Sequence, residues 1–534
     1  MTRLEELGDR LKNQPNILFI MADQLAASAL SAYGNPVVKT PNIDQLAARG
    51  TVFENAYCNN PICASSRFSM MSGQWSSRIG AFDNASEFPA SIPTFAHYLR
   101  SLEYKTCLSG KMHFVGPDQL HGFEDRVTTD IYPTDFGWAA DWQQRVEPYA
   151  PSQMSMRGVV ESGLCVRSMQ MDYDDSVADQ SVQWLYDHVR RPEAGPFLLV
   201  SSFTHPHNPF TISAPYWDLY PDDRVPMPSV PFIPYEKRDP WSQRYYKLIR
   251  QDEHVVTDAH VRSARRAYYG MVSYVDAKVG RLLETLRQTG TLENTVIVFT
   301  ADHGEMLGER GMWYKFNPYE QSIKVPLIIS APGAKAGHRV SANCSLVDLL
   351  PTLLDLATEG KPPALVDPID GRSLGAWLNG SDRSWNNEAL VEFTSEGVHA
   401  PAFILRRDAH KYVHCEGDPG MLFDLQADPS ELRNLCTDPA FAQLARQFEQ
   451  EILSRFDPAR VKGEVLASQR RRLFLHRTLT RGTFTPWDYQ VRQDASKQYV
   501  RSVATTSTTA TKAKARFPYV PATPPDTPRS SGKS

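Results

Sequence analysis

The 534-residue chain has no long hydrophobic run. Its strongest apolar stretches, Ile17–Ala22, Phe197–Val200 and Val325–Ser330, fall far short of the ~20 residues that span a bilayer. The opening MTRLEELGDRLKNQ is charged and has no apolar core, which argues against a secretory leader. Cysteine is sparse: seven residues at 58, 63, 107, 165, 344, 415 and 436, an odd number with no C-x-x-C pair. That pattern argues against a disulfide framework or a structural zinc site and predicts reduced thiols and a cytoplasmic setting. There is no excess of one charge. With 57 basic and 61 acidic residues the net charge is −4, so neither nucleic acid nor an acidic membrane is an expected partner. Internal repeats are absent. A hydrophobic fraction of 41% excludes wholesale disorder.

What is there reads as alternating strand and helix. NILFIMA (16–22), FLLVSSF (197–203) and TVIVFT (295–300) are short, nearly all-apolar segments, as expected of strands covered on both faces. TVFENAYC (51–58), 104–109 and 325–330 add further strand candidates. Helical patterns fill 41–50, 91–102, 262–289 and 346–357. The alternation predicts an α/β fold: a large, mostly parallel sheet flanked by helices. Beyond the Pro-rich stretch 362–370 the texture changes. Strand-like pieces at 389–393, 403–407 and 411–414 and a helix over 439–456 predict a smaller C-terminal α+β domain. The expected boundaries are 1–380, 381–465, a C-terminal segment 466–500, and a tail 501–534. The tail is rich in Ser, Thr and Pro with six basic residues and one acidic, the composition of a flexible linker.

In open parallel sheets ligands bind beyond the carboxyl ends of the strands. There NILFIMA delivers Asp23 and TVIVFTA delivers Asp302-His303-Gly304. Two strands presenting an acid at one relative position suggest a shared site for a hard cation, with each Asp alone readable as a helix cap or turn residue. Cys63, in PICASSR, precedes a helix start with Arg67 one turn on; it is either a buried structural thiol or an activated nucleophile. Lys111 and His113 sit two apart after a strand and would share a face if the strand persists. They suit anion recognition and proton transfer, or are an exposed edge pair. THPHNP (204–209) again follows a buried strand and places His207 near the same edge, and Lys315 ends DHGEMLGERGMWYK.

Taken together, C-x-x-x-R at 63–67, GKMH at 110–113, HPH at 205–207 and ADHGEMLGERGMWYK at 301–315 resemble the sulfatase family of the alkaline phosphatase superfamily. ASEFPASIPTFAHYLR, LSGKMHFVGPDQLHGFEDRVTTDIYPTDFGW and, near the end, TPWDYQ and DASKQYVR resemble its choline-sulfatase branch. The resemblance spans about residues 14–500. It implies that Cys63 is oxidised by a maturation enzyme to formylglycine. It also implies that Asp23, Gln24, Asp302, His303 and an oxygen on residue 63 hold a divalent metal, Ca2+ by family default and Mn2+ compatible with the His303 nitrogen. Gln24 and His303 stand where many sulfatases have Asp and Asn. Arg67, Lys111, His113, His207 and Lys315 match residues around the sulfate, with Asn84 as a further candidate. Position 65 is Ser where the modification signature has Pro or Ala.

The implied reaction is hydrolysis of choline sulfate to choline and sulfate through the hydrated aldehyde, with His207 as acid and His113 as base. A quaternary ammonium is held by aromatic faces and carboxylates. Tyr132, Phe136, Trp138 and Trp142 crowd one loop, and Trp487, Asp488 and Asp494 lie in the C-terminal segment; any single Trp reads more readily as core packing. A homo-oligomer, dimer or tetramer, is expected. The alternatives are phosphonate or phosphate ester hydrolysis on the same scaffold, and, given Ser65, an unmatured chain that only binds anions.

Overall fold

The computed structural model describes residues 14–143, 154–191, 194–380, 384–484 and 486–491. The main sheet contains β1 (Asn16–Ala22), β2 (Thr51–Tyr57), β3 (Lys105–Gly110) and β4 (Asp125–Arg126), together with β6 (Phe197–Phe203), β8 (Thr295–Ala301), β9 (Lys324–Ser330) and β10 (His338–Ser345). Two further short strands, β5 (Gly163–Cys165) and β7 (Thr211–Ser213), pair with each other. The strand order is β10-β2-β9-β8-β1-β6-β3-β4. Only β9 runs against its neighbours β2 and β8; the other pairings are parallel. Every residue of β6 and β8 is buried, which is why these segments read as unbroken apolar runs.

The sheet is covered by the helices Pro41–Arg49, Cys63–Ser72, Met169–Val189, Asp258–Gln288 and Leu349–Ala357. The helix at 91–102 is confined to Phe95–Ser101, because Pro93 precedes and Thr94 caps it by accepting from the His97 N–H. The Met169–Val189 helix escapes a pattern reading because its buried face includes Gln170, Asp174 and Ser181. A second sheet, β11 (Glu388–Phe393), β12 (Ala402–Arg407), β13 (His410–Cys415) and β14 (Met421–Asp424), is antiparallel throughout. Phe403, Leu405, Leu422, Phe448, Ile452 and Val465 build its core against the Ala442–Arg455 helix.

The boundary expected at 465/466 falls inside one continuous helix, Pro458–Leu479. Pro458 opens it and the Asp457 carboxylate caps it. Val461 and Val465 anchor the first half, while the second half is held by buried polar residues, Gln469 and Arg472. The Arg472 guanidinium pairs with Asp83 at 2.9 Å, and Gln469 Oε1 accepts from the Trp142 backbone at 3.0 Å. A polar anchoring pattern of this kind leaves no apolar period to read. Among the described residues, no helix is long and apolar enough to cross a membrane. All seven cysteines are unpaired.

Candidate active site

Register brings the strand ends to one level. Ala22 lies opposite both Phe203 and Ala301, and Gly110 lies opposite Ser202. Asp23, Lys111, Thr204 and Asp302 therefore leave the sheet side by side. Gly110 is required at its position. Its φ is +109°, and a Cβ there would collide with the Ser202 carbonyl.

The Cys63–Ser72 helix is buried along its whole length. Asn84 Oδ1 accepts from the Ala64 N–H at 3.0 Å, so Asn84 secures the head of this helix. Cys63 Sγ sits 3.2 Å from His303 Nε2, 3.6 Å from Lys315 Nζ, 3.7 Å from Lys111 Nζ and 3.8 Å from Asp23 Oδ1. Burial and Asp23 push the thiol up, but Lys111, Lys315 and His303 outweigh them and hold it well below the ordinary thiol range. The same logic applies to Asp23. Burial raises its carboxyl, and Lys111, His207, Arg67 and Lys315 together hold it well below the usual carboxylate range.

Arg67 is fully buried and sits beneath the two acids. Its Nε donates to Asp302 at 2.9 Å and its Nη2 to Asp23 at 3.2 Å. Nη1 reaches the Lys111 carbonyl and the Ser202 hydroxyl. Its donors are thus directed to the framework of the site, and its place is among the supports of Asp23 and Asp302. The planar fork of guanidinium donors suits this bracing.

Lys315 Nζ contacts Gln24 Oε1 at 2.7 Å and His207 Nε2 at 3.0 Å. His207 Nδ1 faces the Asn208 carbonyl at 2.7 Å. Burial and Lys315 pull its imidazole well below the usual histidine range. Of the HPH pair, only His207 turns to the site; His205 Nδ1 pairs with Asp174 at 2.7 Å. The strand carrying GKMH stops at Gly110, and His113 takes a φ of 62°, so Lys111 and His113 do not share a strand face. Among the described residues, His113 Nε2 lies 3.0 Å from the Thr134 hydroxyl and Nδ1 is buried without a protein partner. The ring stands 6.3 Å from Trp138. Trp142 donates its indole N–H to the Ser395 carbonyl at 3.0 Å and packs between the two cores. Trp487 stands edge-on to Phe136 at 4.8 Å, and Asp494 lies outside the described residues.

Several members of the site carried little signal. Tyr132 covers Lys111 with its ring face, 5.1 Å from Nζ, and its hydroxyl accepts from Gln170, which also holds the His207 and Asn208 carbonyls. Glu305 contacts Gln24; it lies in the DHGE run, three residues past Asp302. Asp130 accepts from the backbone of Met112 and His113.

The ligand atoms of Asp23, Cys63, Asp302 and His303 lie within 4.8 Å of one another and are all buried. Two carboxylates, one imidazole and the Gln24 amide nearby form a donor set that fits a divalent cation. The family model described as Sulfatase matches residues 15–359. The chain belongs to the sulfatase family. Within it, the C-terminal model of N-sulphoglucosamine sulphohydrolase matches 308–457, and the model described as Choline sulfatase enzyme C terminal matches 463–517. A choline-sulfatase of Rhizobium meliloti is 42% identical over 92% of this chain and 96% of its own length. An arylsulfatase of Clostridium perfringens is 29% identical over 80% of this chain and 92% of its own. The phosphonate monoester hydrolase of Agrobacterium radiobacter superposes with a TM-score of 0.68 at 25% identity, covering 85% of this chain and 96% of that one. The chain is accordingly a sulfuric ester hydrolase with a large α/β sulfatase sheet and a smaller C-terminal sheet.

Proposed function

We propose that this sulfatase hydrolyses choline sulfate to choline and sulfate, with residue 63 matured from Cys to formylglycine beside a bound divalent cation. The observation that carries the reading is the seat of Cys63 Sγ at a helix head, 3.2–3.8 Å from His303, Lys315, Lys111 and Asp23. The choline half is supported by the 42% identical relative and the C-terminal match at 463–517.

Asp23, Gln24, Asp302, His303 and an oxygen on residue 63 would hold the cation. Oxygen donors favour Ca2+, and the His303 nitrogen makes Mn2+ acceptable. Such a cation supplies Lewis acidity and lowers the pKa of a neighbouring hydroxyl. The aldehyde supplies, once hydrated, a hydroxyl that attacks sulfur and a second that lets sulfate depart by C–O cleavage.

The rest is done by side chains already in place. Lys111 and Lys315 hold the sulfate oxygens and offset their charge. The departing alkoxide takes its proton from the pair formed by His207 and Lys315, in which the Lys315 ammonium carries the proton and shares it with His207 Nε2. His113 Nδ1, buried without a protein partner, is the base that accepts a proton from residue 63. Arg67 and Asn84 hold the acids and the helix head. The quaternary ammonium has no N–H to donate, so aromatic faces bind it, each worth ~0.5–2 kcal/mol; Tyr132, 5.1 Å from Lys111 Nζ, and Trp138, 6.3 Å from the His113 ring, are the faces beside the site. Of the rest of the expected choline-binding set, Asp494 lies outside the described residues, and Trp142, bonded to the Ser395 carbonyl and packed between the two cores, serves the fold. The seven unpaired cysteines favour a cytoplasmic setting. Exposed Phe474, Leu475, Leu479 and Phe484 favour a homo-oligomer of two or four copies. A maturation enzyme is part of the reading, and it must accept Ser65.

Mass spectrometry of the tryptic peptide containing residue 63, together with sulfate release from choline sulfate by parent and Cys63→Ala, tests the proposal. Formylglycine in the parent and turnover lost in Cys63→Ala are expected. An unmodified thiol in fully active protein overturns it. The likeness to a phosphonate monoester hydrolase supports a second reading, in which phosphonate esters are the better substrates; relative kcat/KM on choline sulfate and an aryl phosphonate decides between them.

A further inference from the structure

Gln24 follows β1 in the left-handed region, at φ 62°, a conformation that a non-glycine residue keeps only under firm local constraint. Its N–H donates to Asp302 Oδ1 at 3.0 Å, and its carbonyl accepts from the Tyr268 hydroxyl at 2.7 Å. The side-chain amide lies between two unlike groups. Lys315 Nζ approaches Oε1. On the other side, Nε2 donates to Glu305 Oε2 at 2.5 Å and to Asn208 Oδ1 at 3.2 Å. Glu305 is fully buried. Its second oxygen accepts the backbone N–H groups of Leu307, at 2.9 Å, and Tyr314, at 2.6 Å. All three partners of this carboxyl are donors, and the reaction described above gives it no task.

A primary amide has one accepting end and one donating end, and its orientation is set by what surrounds it. We propose that Glu305 is a positioning residue. By accepting from Nε2 it locks Gln24 with Oε1 toward Lys315 and the Cys63 centre, so that position 24 presents an oxygen there. The contact also accounts for the residue type. An acid at position 24 would set two carboxylates against each other in a buried site, whereas an amide satisfies Glu305 and still offers an oxygen inward. The nature of what that oxygen faces rests on the metal-dependent reading; the contact itself does not.

The test uses the full-length chain as parent, Glu305→Gln, Gln24→Glu and the double variant. Thermal unfolding in metal-free buffer reads the coupling of the two positions, and calorimetric titration with Ca2+ and Mn2+ reads cation affinity. Glu305→Gln keeps the shape and the oxygen for Leu307 and Tyr314 but no longer dictates the Gln24 orientation. Cation binding is expected to weaken about 10–100-fold, the range for lost orienting contacts. Gln24→Glu is expected to lower the melting midpoint, and Glu305→Gln added to it to restore the midpoint, the new amide donating to the new carboxylate. Unchanged cation affinity in Glu305→Gln overturns the proposal, as does a double variant no more stable than Gln24→Glu. A parent that binds neither cation refutes the metal-dependent reading instead, and the metal-free coupling then decides alone whether Glu305 orients Gln24.

Discussion

Arg67→Met removes the one guanidinium that joins Asp23, Asp302, the Lys111 carbonyl and Ser202. All three charged groups have fully buried side chains, so water cannot take over the lost donors. Taking away one partner of a buried ion pair costs about 3–5 kcal/mol, because the other charge stays behind unpaired. At about 2.1 cal/mol/K of unfolding entropy per residue, a chain of this size melts roughly 1 °C lower per kcal/mol. The midpoint of Arg67→Met should therefore fall by about 3–5 °C in metal-free buffer. Arg67→Lys keeps the charge but cannot fork to four acceptors, so it loses one or two charge-assisted bonds, about 1.5–3 kcal/mol each. A cation that pairs with both acids should narrow the gap between Arg67→Met and parent. Scanning calorimetry with and without Ca2+, and sulfate release from choline sulfate, measure these effects. A Met variant that melts within 1 °C of the parent and retains full turnover would refute the bracing role.

Three further outcomes rest on particular groups. Burial pushes the Asp348 carboxyl up to about 7 from 3.8, against the backbone donors of Arg372 and Ser345. Its folded form holds the proton more tightly than the unfolded chain, so its stabilising contribution is complete below about pH 4 and is lost as pH rises through about 7. Melting midpoints of parent and Asp348→Asn from pH 4.5 to 8 should show a flatter pH dependence in the variant; parallel curves would refute the assignment. Trp138→Ala should raise the KM for choline sulfate roughly 2–30-fold, the equivalent of one cation–π contact. Trp142→Phe, which loses the bond to Ser395, should instead lower the melting midpoint by about 1 °C. The opposite assignment of the two effects would reverse their roles.

The strands that frame the site were legible because burial on both faces makes them apolar runs, and parallel pairing sets their ends level. Asp23, Asp302 and Lys111 could be picked out for that reason. The direction of β9 was not legible, since an apolar run looks the same either way. The Met169–Val189 and Pro458–Leu479 helices were missed where Asp174, Ser181, Gln469 and Arg472 take core positions through hydrogen bonds and ion pairs, which erases the helical apolar period. Arg67 was visible as a residue, but its role depends on four acceptors from four other segments. His113 was drawn to the wrong face because the strand ends at Gly110, and nothing local in KMH announces its positive φ.

The pairing of Ala22 with Ala301 has a consequence for how this scaffold can change over time. Side chains alternate along a strand, so adding or deleting one residue in β1 or β8 would swing the following acid to the opposite surface of the sheet. The connecting loops face no such parity rule. Length variation is thus channelled into the connections, while those two seven-residue strands are a dimension the lineage must keep.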